Sequence, residues 1–72
     1  MQKVREELIK TEEGFEIPIA LLADKDQNGD FYYVRIDGVP WLYADNRVHA
    51  VVLFEMMRDH ITEYVQYTRK EE

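Results

Sequence analysis

The sequence predicts a small α+β domain in which a three-stranded antiparallel meander packs against a long C-terminal helix, in the order α-β-β-β-α. Asp37-Gly38 joins two β-rich runs within residues 31–44, and a polar turn at residues 24–30 precedes them. Apolar residues after Asn46 recur with helical spacing. With 72 residues, the chain forms one domain over 1–72 and buries a modest fraction of its surface.

The first predicted element is a short helix over residues 2–12. Val4 and Leu8 are spaced as neighbours on a helix, and Ile9 lies beside Leu8, which gives a narrow apolar stripe. Gly14 suits the left-handed residue that ends a helix. Because so short a helix is marginal without tertiary packing, a disordered arm is the alternative.

Residues 15–23 are predicted to form the first strand of the meander. Its large apolar residues follow a period of two, namely Phe15, Ile17, Ile19 and Leu21. Pro18 cannot donate a hydrogen bond to a neighbouring strand, which favours an edge position. A loop closed by Lys25 and Asp30 would then pair this strand with the next one, with Leu21 opposite Val34 and Ile19 opposite Ile36.

Strands over residues 30–37 and 39–44 are predicted to pair through the Asp37-Gly38 turn. A two-residue type I′ turn needs positive φ at both positions, which Asp tolerates and Gly adopts freely. In an uninterrupted register Val34 faces Trp41 and Tyr32 faces Tyr43. One face of this hairpin then holds Tyr32, Val34, Ile36, Val39, Trp41 and Tyr43.

The last predicted element is a helix over residues 46–68, capped by Asp45 or Asn46. A rotation of about 100° per residue gives it a broad apolar face toward the sheet. The predicted core comprises Ile19, Leu21, Val34, Ile36, Trp41, Leu53, Phe54, Met57, Ile61 and Tyr64. A second apolar stripe, formed by Val48, Val52 and Met56, lies on the side of the helix away from that core.

Composition restricts the classes of function. The formal net charge is −6 and the sequence pI is about 4.8, which argues against direct nucleic-acid binding through phosphates. No apolar run approaches the roughly 20 residues of a membrane span, and the start of the chain is too charged for a signal peptide. The chain has no cysteine, which fits a reducing compartment. We therefore expect a soluble cytoplasmic protein.

No catalytic motif is present in the sequence. The chain contains neither Ser nor Cys, and its three glycines are explained by a cap and two turns. His49 and His60 lie roughly 16 Å apart along the predicted helix, too far to share one metal ion. We expect a protein that is not an enzyme and that carries no cofactor.

The most motif-like segment, residues 24–30, resembles the first half of an EF-hand calcium loop. The oxygen ligands in that resemblance are Asp24, Asp26, Asn28 and Asp30. The position of the bidentate Glu that completes an EF-hand is occupied by Arg35, and the segment after the loop is strand-like. The resemblance implies weak calcium binding at most, and a hairpin loop rich in turn-forming residues explains the same segment.

The predicted fold leaves more apolar surface than its helices can cover, which indicates an interaction surface. The residues predicted to contact a partner are Val48, Val52, Met56, Phe31, Tyr33 and Leu42. Acidic residues expected to contact a basic partner are Glu12, Glu13, Glu16, Asp59 and Glu63. We expect a small acidic protein-binding module that acts as a homodimer or with another protein. Small acidic inhibitors that come from phages and other mobile elements are similar to this chain in size and charge. Such a protein could engage a basic surface, such as the nucleic-acid-binding groove of an enzyme that it inhibits.

An alternative function follows from the order of the predicted elements. Strand–strand–strand–helix is similar to the order in HicB-type antitoxins, which implies a regulatory domain that binds a small basic toxin. The resemblance covers one turn and two strands, and the basic DNA-binding segment expected in such a chain is not found here.

Overall fold

The computed structural model describes residues 1–61, which form a four-stranded antiparallel sheet followed by one helix. The strands are β1 (Gln2–Lys10), β2 (Glu16–Asp26), β3 (Gly29–Ile36) and β4 (Val39–Ala44), and the helix is α1 (Arg47–Asp59). Each strand pairs with its neighbour in the chain, in the order β1-β2-β3-β4, so the sheet is a simple meander. The small single α+β domain predicted from the sequence is retained, with a different order of elements.

The prediction of an N-terminal helix is wrong, and with it the order α-β-β-β-α. Residues 2–12 supply β1, which pairs antiparallel with β2 from Gln2 opposite Ala23 to Lys10 opposite Glu16. The element order is therefore β-β-β-β-α. A strand here satisfies the backbone donors and acceptors along one side of β2, which a helix on the surface would leave unpaired.

The prediction of a long C-terminal helix is also corrected. The helix begins after Asn46, whose side chain accepts a hydrogen bond from the His49 backbone N–H at 2.9 Å, and it ends at Asp59 with His60 as the C-cap. Asn46 is thus the N-cap, one of the two residues that the sequence offered. The rest of the predicted helix, residues 62–68, lies outside the described residues.

The predicted register between β2 and β3 is confirmed. Leu21 pairs with Val34, Ile19 with Ile36, and Lys25 with Asp30. The two strands run further than predicted, because Asp26 also pairs with Gly29 across a tighter turn. Gly29 has a φ of 118°, a backbone conformation that suits glycine.

The Asp37-Gly38 turn between β3 and β4 has the predicted backbone conformation. The φ angles are 52° at Asp37 and 83° at Gly38, both positive as a type I′ turn requires. Ile36 pairs with Val39 directly across the turn. The right-handed twist of the two strands is matched by this turn, which fixes where β4 begins.

We expect Gly38→Val to destabilise the protein by about 1–2 kcal/mol, because a β-branched residue is strained at positive φ. No other atom lies within 4 Å of a Cβ added at Gly38, so the cost is one of backbone strain rather than of a clash. Urea denaturation followed by circular dichroism measures the change. Gly38→Asn is the control, since Asn tolerates this conformation; equal costs for Val and Asn would show that the turn relaxes.

The predicted register between β3 and β4 holds only next to the turn. A β-bulge separates the pair Arg35–Pro40 from the pair Val34–Leu42, so Trp41 is the extra residue of β4. Tyr33 therefore pairs with Tyr43, which places Tyr43 on the opposite face from the one predicted. Pro40 lacks an N–H, and the ladder is interrupted beside it.

The core lies between α1 and the inner face of the sheet. It comprises Ile17, Ile19, Leu21, Val34, Ile36, Ala50, Phe54, Met57 and Ile61. Seven of these residues were in the predicted core, and Ile17 and Ala50 were not. Trp41 and Leu53, also predicted, pack against its edge and are partly buried. Tyr64 lies outside the described residues.

Ion pairs connect the edge strand β1 to α1. Glu7 accepts a hydrogen bond from Arg58 at 3.1 Å and forms an ion pair with Arg5 at 3.0 Å, and Arg5 donates a hydrogen bond to Glu55 at 3.4 Å. The hydrogen bond with Glu7 raises the pKa of Arg58 above its ordinary value. The Arg5 guanidinium stacks over the Phe54 ring at 5.0 Å. These contacts fix α1 over the inner face and leave the outer face without a helix in residues 1–61.

Candidate protein-interaction surface

The outer face of the sheet, the side away from α1, carries an apolar strip across all four strands. Strand pairing places these residues on it: Leu8, Pro18, Ala20, Leu22, Phe31, Tyr33 and Tyr43. Ala20 and Leu22 are buried beneath neighbouring side chains although they lie outside the inner core. Leu8 and Tyr43 remain 60% and 63% exposed. No element within residues 1–61 packs over this strip.

Three aromatic rings form a cluster on the outer face. Phe31, Tyr33 and Tyr43 have ring centroids separated by 5.6–6.2 Å. The Arg35 guanidinium lies 5.8 Å from the Tyr33 ring, and the Tyr33 hydroxyl donates a hydrogen bond to Met1 Sδ at 3.0 Å. Aromatic side chains with a polar tip are typical of interaction surfaces.

The second apolar stripe of the helix is exposed. Val48, Val52 and Met56 are 73%, 50% and 54% exposed, on the side of α1 opposite to Ala50 and Phe54. Helical spacing alone therefore placed these three residues on the correct side of the helix.

A groove at the end of β4 joins the helix stripe to the outer face of the sheet. Phe31 and Tyr43 from the sheet, and Val52 and Leu53 from α1, supply most of its apolar lining, and its volume is about 880 Å³. The other lining residues are Asp26, Ala44, Asp45 and His49. The groove exists because the chain turns directly from β4 into α1, which brings the first turns of the helix beside the last residues of the strand.

The structure places the predicted interface residues in three groups. Phe31 and Val52 meet in the groove, and Tyr33 stacks beside Phe31 on the outer face. Val48 and Met56 extend the exposed helix stripe, and Leu42 lies exposed on the edge strand β4. Sequence analysis missed Tyr43 because the bulge reverses its face.

The carboxylates at the groove differ from those predicted to contact a partner. Glu12, Glu13 and Glu16 lie in and beside the β1–β2 turn, at the other end of the sheet. Residues 16 and 26 are the first and last of β2, which is roughly 33 Å long at about 3.3 Å per residue. Asp59 is the last residue of α1, and its carboxylate lies 3.5 Å from Arg58 Nε. Glu63 lies outside the described residues.

Asp26 and Asp45 are the two carboxylates that line the groove. Asp26 ends β2, and Asp45 sits between the last residue of β4 and the N-cap of α1. For Asp45, the sequence did contain a signal of its place in the groove, because this residue lies at the junction of a predicted strand and a predicted helix.

The loop that resembles half an EF-hand is held by hydrogen bonds from its backbone N–H groups to its own Asp side chains. Asp24 Oδ1 accepts from the Lys25 N–H and Asp26 Oδ1 from the Asn28 N–H, both at 2.8 Å. Strand alternation directs Asp30, which pairs with Lys25, to the other face from Asp24 and Asp26. Within residues 1–61, no group of three or more His, Asp or Glu side chains is placed to hold a metal ion. This geometry lends the calcium hypothesis no support.

Chemically, the groove offers contact area and two negative charges. His49 Nδ1 lies 3.1 Å from Asn46 Nδ2, so the imidazole is tied to the helix cap. An apolar side chain can enter between the rings and Val52, and a cation beside it can pair with Asp26 or Asp45.

Comparison with known proteins places the chain in no family: no family matches it, and no curated protein or solved structure is significantly similar to it. Over residues 1–61, the structure contains no helix with the length and apolar character that crossing a membrane requires.

Proposed function

We propose that this protein is a small acidic protein-binding module without a catalytic role, which receives a basic segment of a partner protein in the groove between β4 and α1. The observation that carries the proposal is the union, in one groove, of apolar side chains from the sheet and the helix with two carboxylates. The partner is a protein of the cytoplasm, a location that the cysteine-free composition suits.

The size of the groove supports a side chain or two as the occupant. Ligand sites in proteins have volumes of about 300–1,000 Å³, and this groove has about 880 Å³. Burying one large apolar side chain contributes about 1.5–3 kcal/mol, so two such anchors supply about 3–6 of the roughly 8 kcal/mol that corresponds to a micromolar dissociation constant. Phe31 and Tyr43 are of the residue types that anchor interfaces.

The negative charge of the chain and of its groove favours a partner with a basic binding segment. The chain carries a net charge of −6, and the groove itself contributes Asp26 and Asp45. A segment with Lys or Arg next to its apolar anchor is attracted during approach and paired once bound. A nucleic-acid-binding surface has this composition, which supports a role as an inhibitor of the kind found in phages and mobile elements.

The test compares two substitutions on the same helix. Val52→Asp puts a charge into the groove lining, whereas Val48→Asp puts the same charge one turn away, outside the groove. Both side chains are at least half exposed, so both variants should fold. With immobilised protein and lysate from the source cell, we expect the partner retained by the wild type to bind at least about tenfold more weakly to Val52→Asp and normally to Val48→Asp.

Two further measurements sharpen that test. Binding should weaken as salt increases, and Asp45→Asn should reduce both the affinity and its salt dependence. The mass of the captured protein separates an enzyme target from the small basic toxin that an antitoxin-like domain would bind. Equal retention by Val52→Asp and Val48→Asp would rule out the groove as the binding site.

A further inference from the structure

We propose that the outer face of the sheet is where two copies of this chain associate face to face, as a weak and reversible homodimer. This surface shares Phe31 and Tyr43 with the sheet wall of the groove and excludes its helix wall, and the proposal does not rest on the function proposed above. It commits to a second copy as the occupant because of three properties: the apolar strip, the balance of charge across the face, and its area.

The apolar strip presents two exposed ends, at Leu8 and at Tyr43, for a sheet-on-sheet contact. Leu8 and Pro18 lie side by side at one end, and the three-ring cluster lies at the other. Between them, Ala20 and Leu22 are only 7% and 2% exposed, so the centre of the face adds little contact area. Two sheets pack about 10 Å apart when side chains of this kind interdigitate.

The charge on the outer face is balanced, unlike that of the whole chain. Strand pairing places these basic groups on or beside it: Lys3, Lys10, Arg35 and the Met1 α-amino group. The carboxylates on the same face are Glu6, Glu16, Asp24 and Asp26. These are four charges of each sign, whereas the chain as a whole carries −6. A second copy therefore meets no net repulsion across this face, and a strongly basic partner gains little there.

Part of that charge is already paired within the chain. Lys3 Nζ lies 2.9 Å from Glu6, and the Met1 amino group lies 3.7 Å from Asp24. Exposed pairs of this kind contribute little to stability on their own. They do leave the face close to neutral locally, so that its apolar strip determines what binds.

The area of the face predicts a weak dimer. Strands about 4.8 Å apart and about 28 Å long in a four-stranded sheet present roughly 500 Å² per copy, or about 1,000 Å² for a pair. Stable specific interfaces bury about 1,200–2,000 Å², so this contact of about 1,000 Å² lies below that range, where weak and transient complexes are found. We infer a dissociation constant in the micromolar range.

Association through the sheet edges is disfavoured. Pro40 and the bulge at Trp41 interrupt β4, and a second bulge between Lys3 and Arg5 interrupts β1. Proline, bulges and lysine are the devices that keep edge strands from pairing with another chain. The face, rather than either edge, is therefore the surface for self-association.

Sedimentation equilibrium of the full chain tests the proposal. Across about 1 μM to 1 mM protein, a range that brackets micromolar affinity, the apparent mass should rise from the 8.7 kDa monomer toward twice that value. Leu8→Lys should weaken the dimer at least about tenfold while circular dichroism and thermal unfolding stay close to wild type, because Leu8 is 60% exposed. Leu8→Gln removes the apolar side chain without adding a charge, so it separates the loss of apolar contact from the effect of the new charge. This variant should weaken the dimer less than Leu8→Lys.

Val48→Asp is the matched control, because Val48 is 73% exposed on the helix side of the molecule. This variant should dimerise like the wild type. A wild-type chain that stays monomeric at about 1 mM, far above micromolar affinity, would overturn the proposal. So would a dimer weakened by Val48→Asp and not by Leu8→Lys, since that result would assign self-association to the helix stripe. A chain that stays monomeric leaves the comparison of Val52→Asp with Val48→Asp in partner capture unaffected, because that comparison tests the helix wall of the groove.

Discussion

Replacing Phe54 with alanine is expected to cost about 3–5 kcal/mol of folding free energy, the range measured for large aromatic residues in protein cores. The Phe54 ring is fully buried between α1 and the inner face of the sheet, and the Arg5 guanidinium covers it at 5.0 Å. A chain of 72 residues has a total stability of about 4–11 kcal/mol. Loss of this one side chain should therefore remove a large fraction of the stability and lower the thermal midpoint well below that of the wild type.

Thermal and urea denaturation followed by far-ultraviolet circular dichroism measure this effect. Phe54→Leu is the control, because it keeps most of the apolar volume and should cost about 1–2 kcal/mol. Arg5→Gln removes the cation over the ring together with the partly exposed ion pairs to Glu7 and Glu55, and should cost less than either. If Phe54→Ala unfolds with the same midpoint as Phe54→Leu, then the helix does not cover the sheet as described.

The position of α1 and the two turns that connect β2, β3 and β4 were predictable because their signals are local. The Asp37-Gly38 pair sets a turn through the φ preferences of two residues, and the apolar period after Asn46 sets the face of α1 that meets the sheet. The pairing of Leu21 with Val34 followed from the loop length and from placing the largest side chains on one face. Such signals need no knowledge of distant residues.

The strand β1 was not predictable in the same way, because its inward-facing positions are charged. Arg5 and Glu7 lie on the inner face beside Ile9, where alternation would favour apolar residues. They are accommodated there by ion pairs with Arg58 and Glu55 of α1, more than forty residues along the chain. A bulge between Lys3 and Arg5 also breaks the period of two. Without knowledge of these distant partners, the sequence of β1 shows only a charged segment whose composition favours a helix.

The candidate site was predictable in its parts and not as a whole. Exposure of the helix stripe and the outward position of Phe31 and Tyr33 follow from periodicity alone. The groove depends on how closely α1 follows β4, and on the bulge that turns Tyr43 outward. Both are tertiary features. The two carboxylates that line the groove, Asp26 and Asp45, could be distinguished from the other acidic residues only once these tertiary features were known.

A comparison of Trp41→Ala with Tyr43→Ala distinguishes the bulged register of β4 from the uninterrupted one. In the uninterrupted register both rings face the core, and both substitutions would be severe. With the bulge, Trp41 packs against the core and Tyr43 is 63% exposed on the outer face. We expect Trp41→Ala to cost about 2–4 kcal/mol because a largely buried indole is lost. Tyr43→Ala should cost about 0.5–1 kcal/mol, since it removes only contacts in the exposed aromatic cluster.

Urea denaturation followed by circular dichroism gives both free energies of unfolding. Trp41 is the single tryptophan of the chain, so its fluorescence reports independently on unfolding in the Tyr43→Ala variant. Trp41→Phe is the control that keeps a ring in the core and should recover more than half of the lost stability. Equal losses of stability for Trp41→Ala and Tyr43→Ala would show that β4 has the uninterrupted register. Because the groove needs the Tyr43 ring on the outer face, that result would also remove one wall of the proposed binding site.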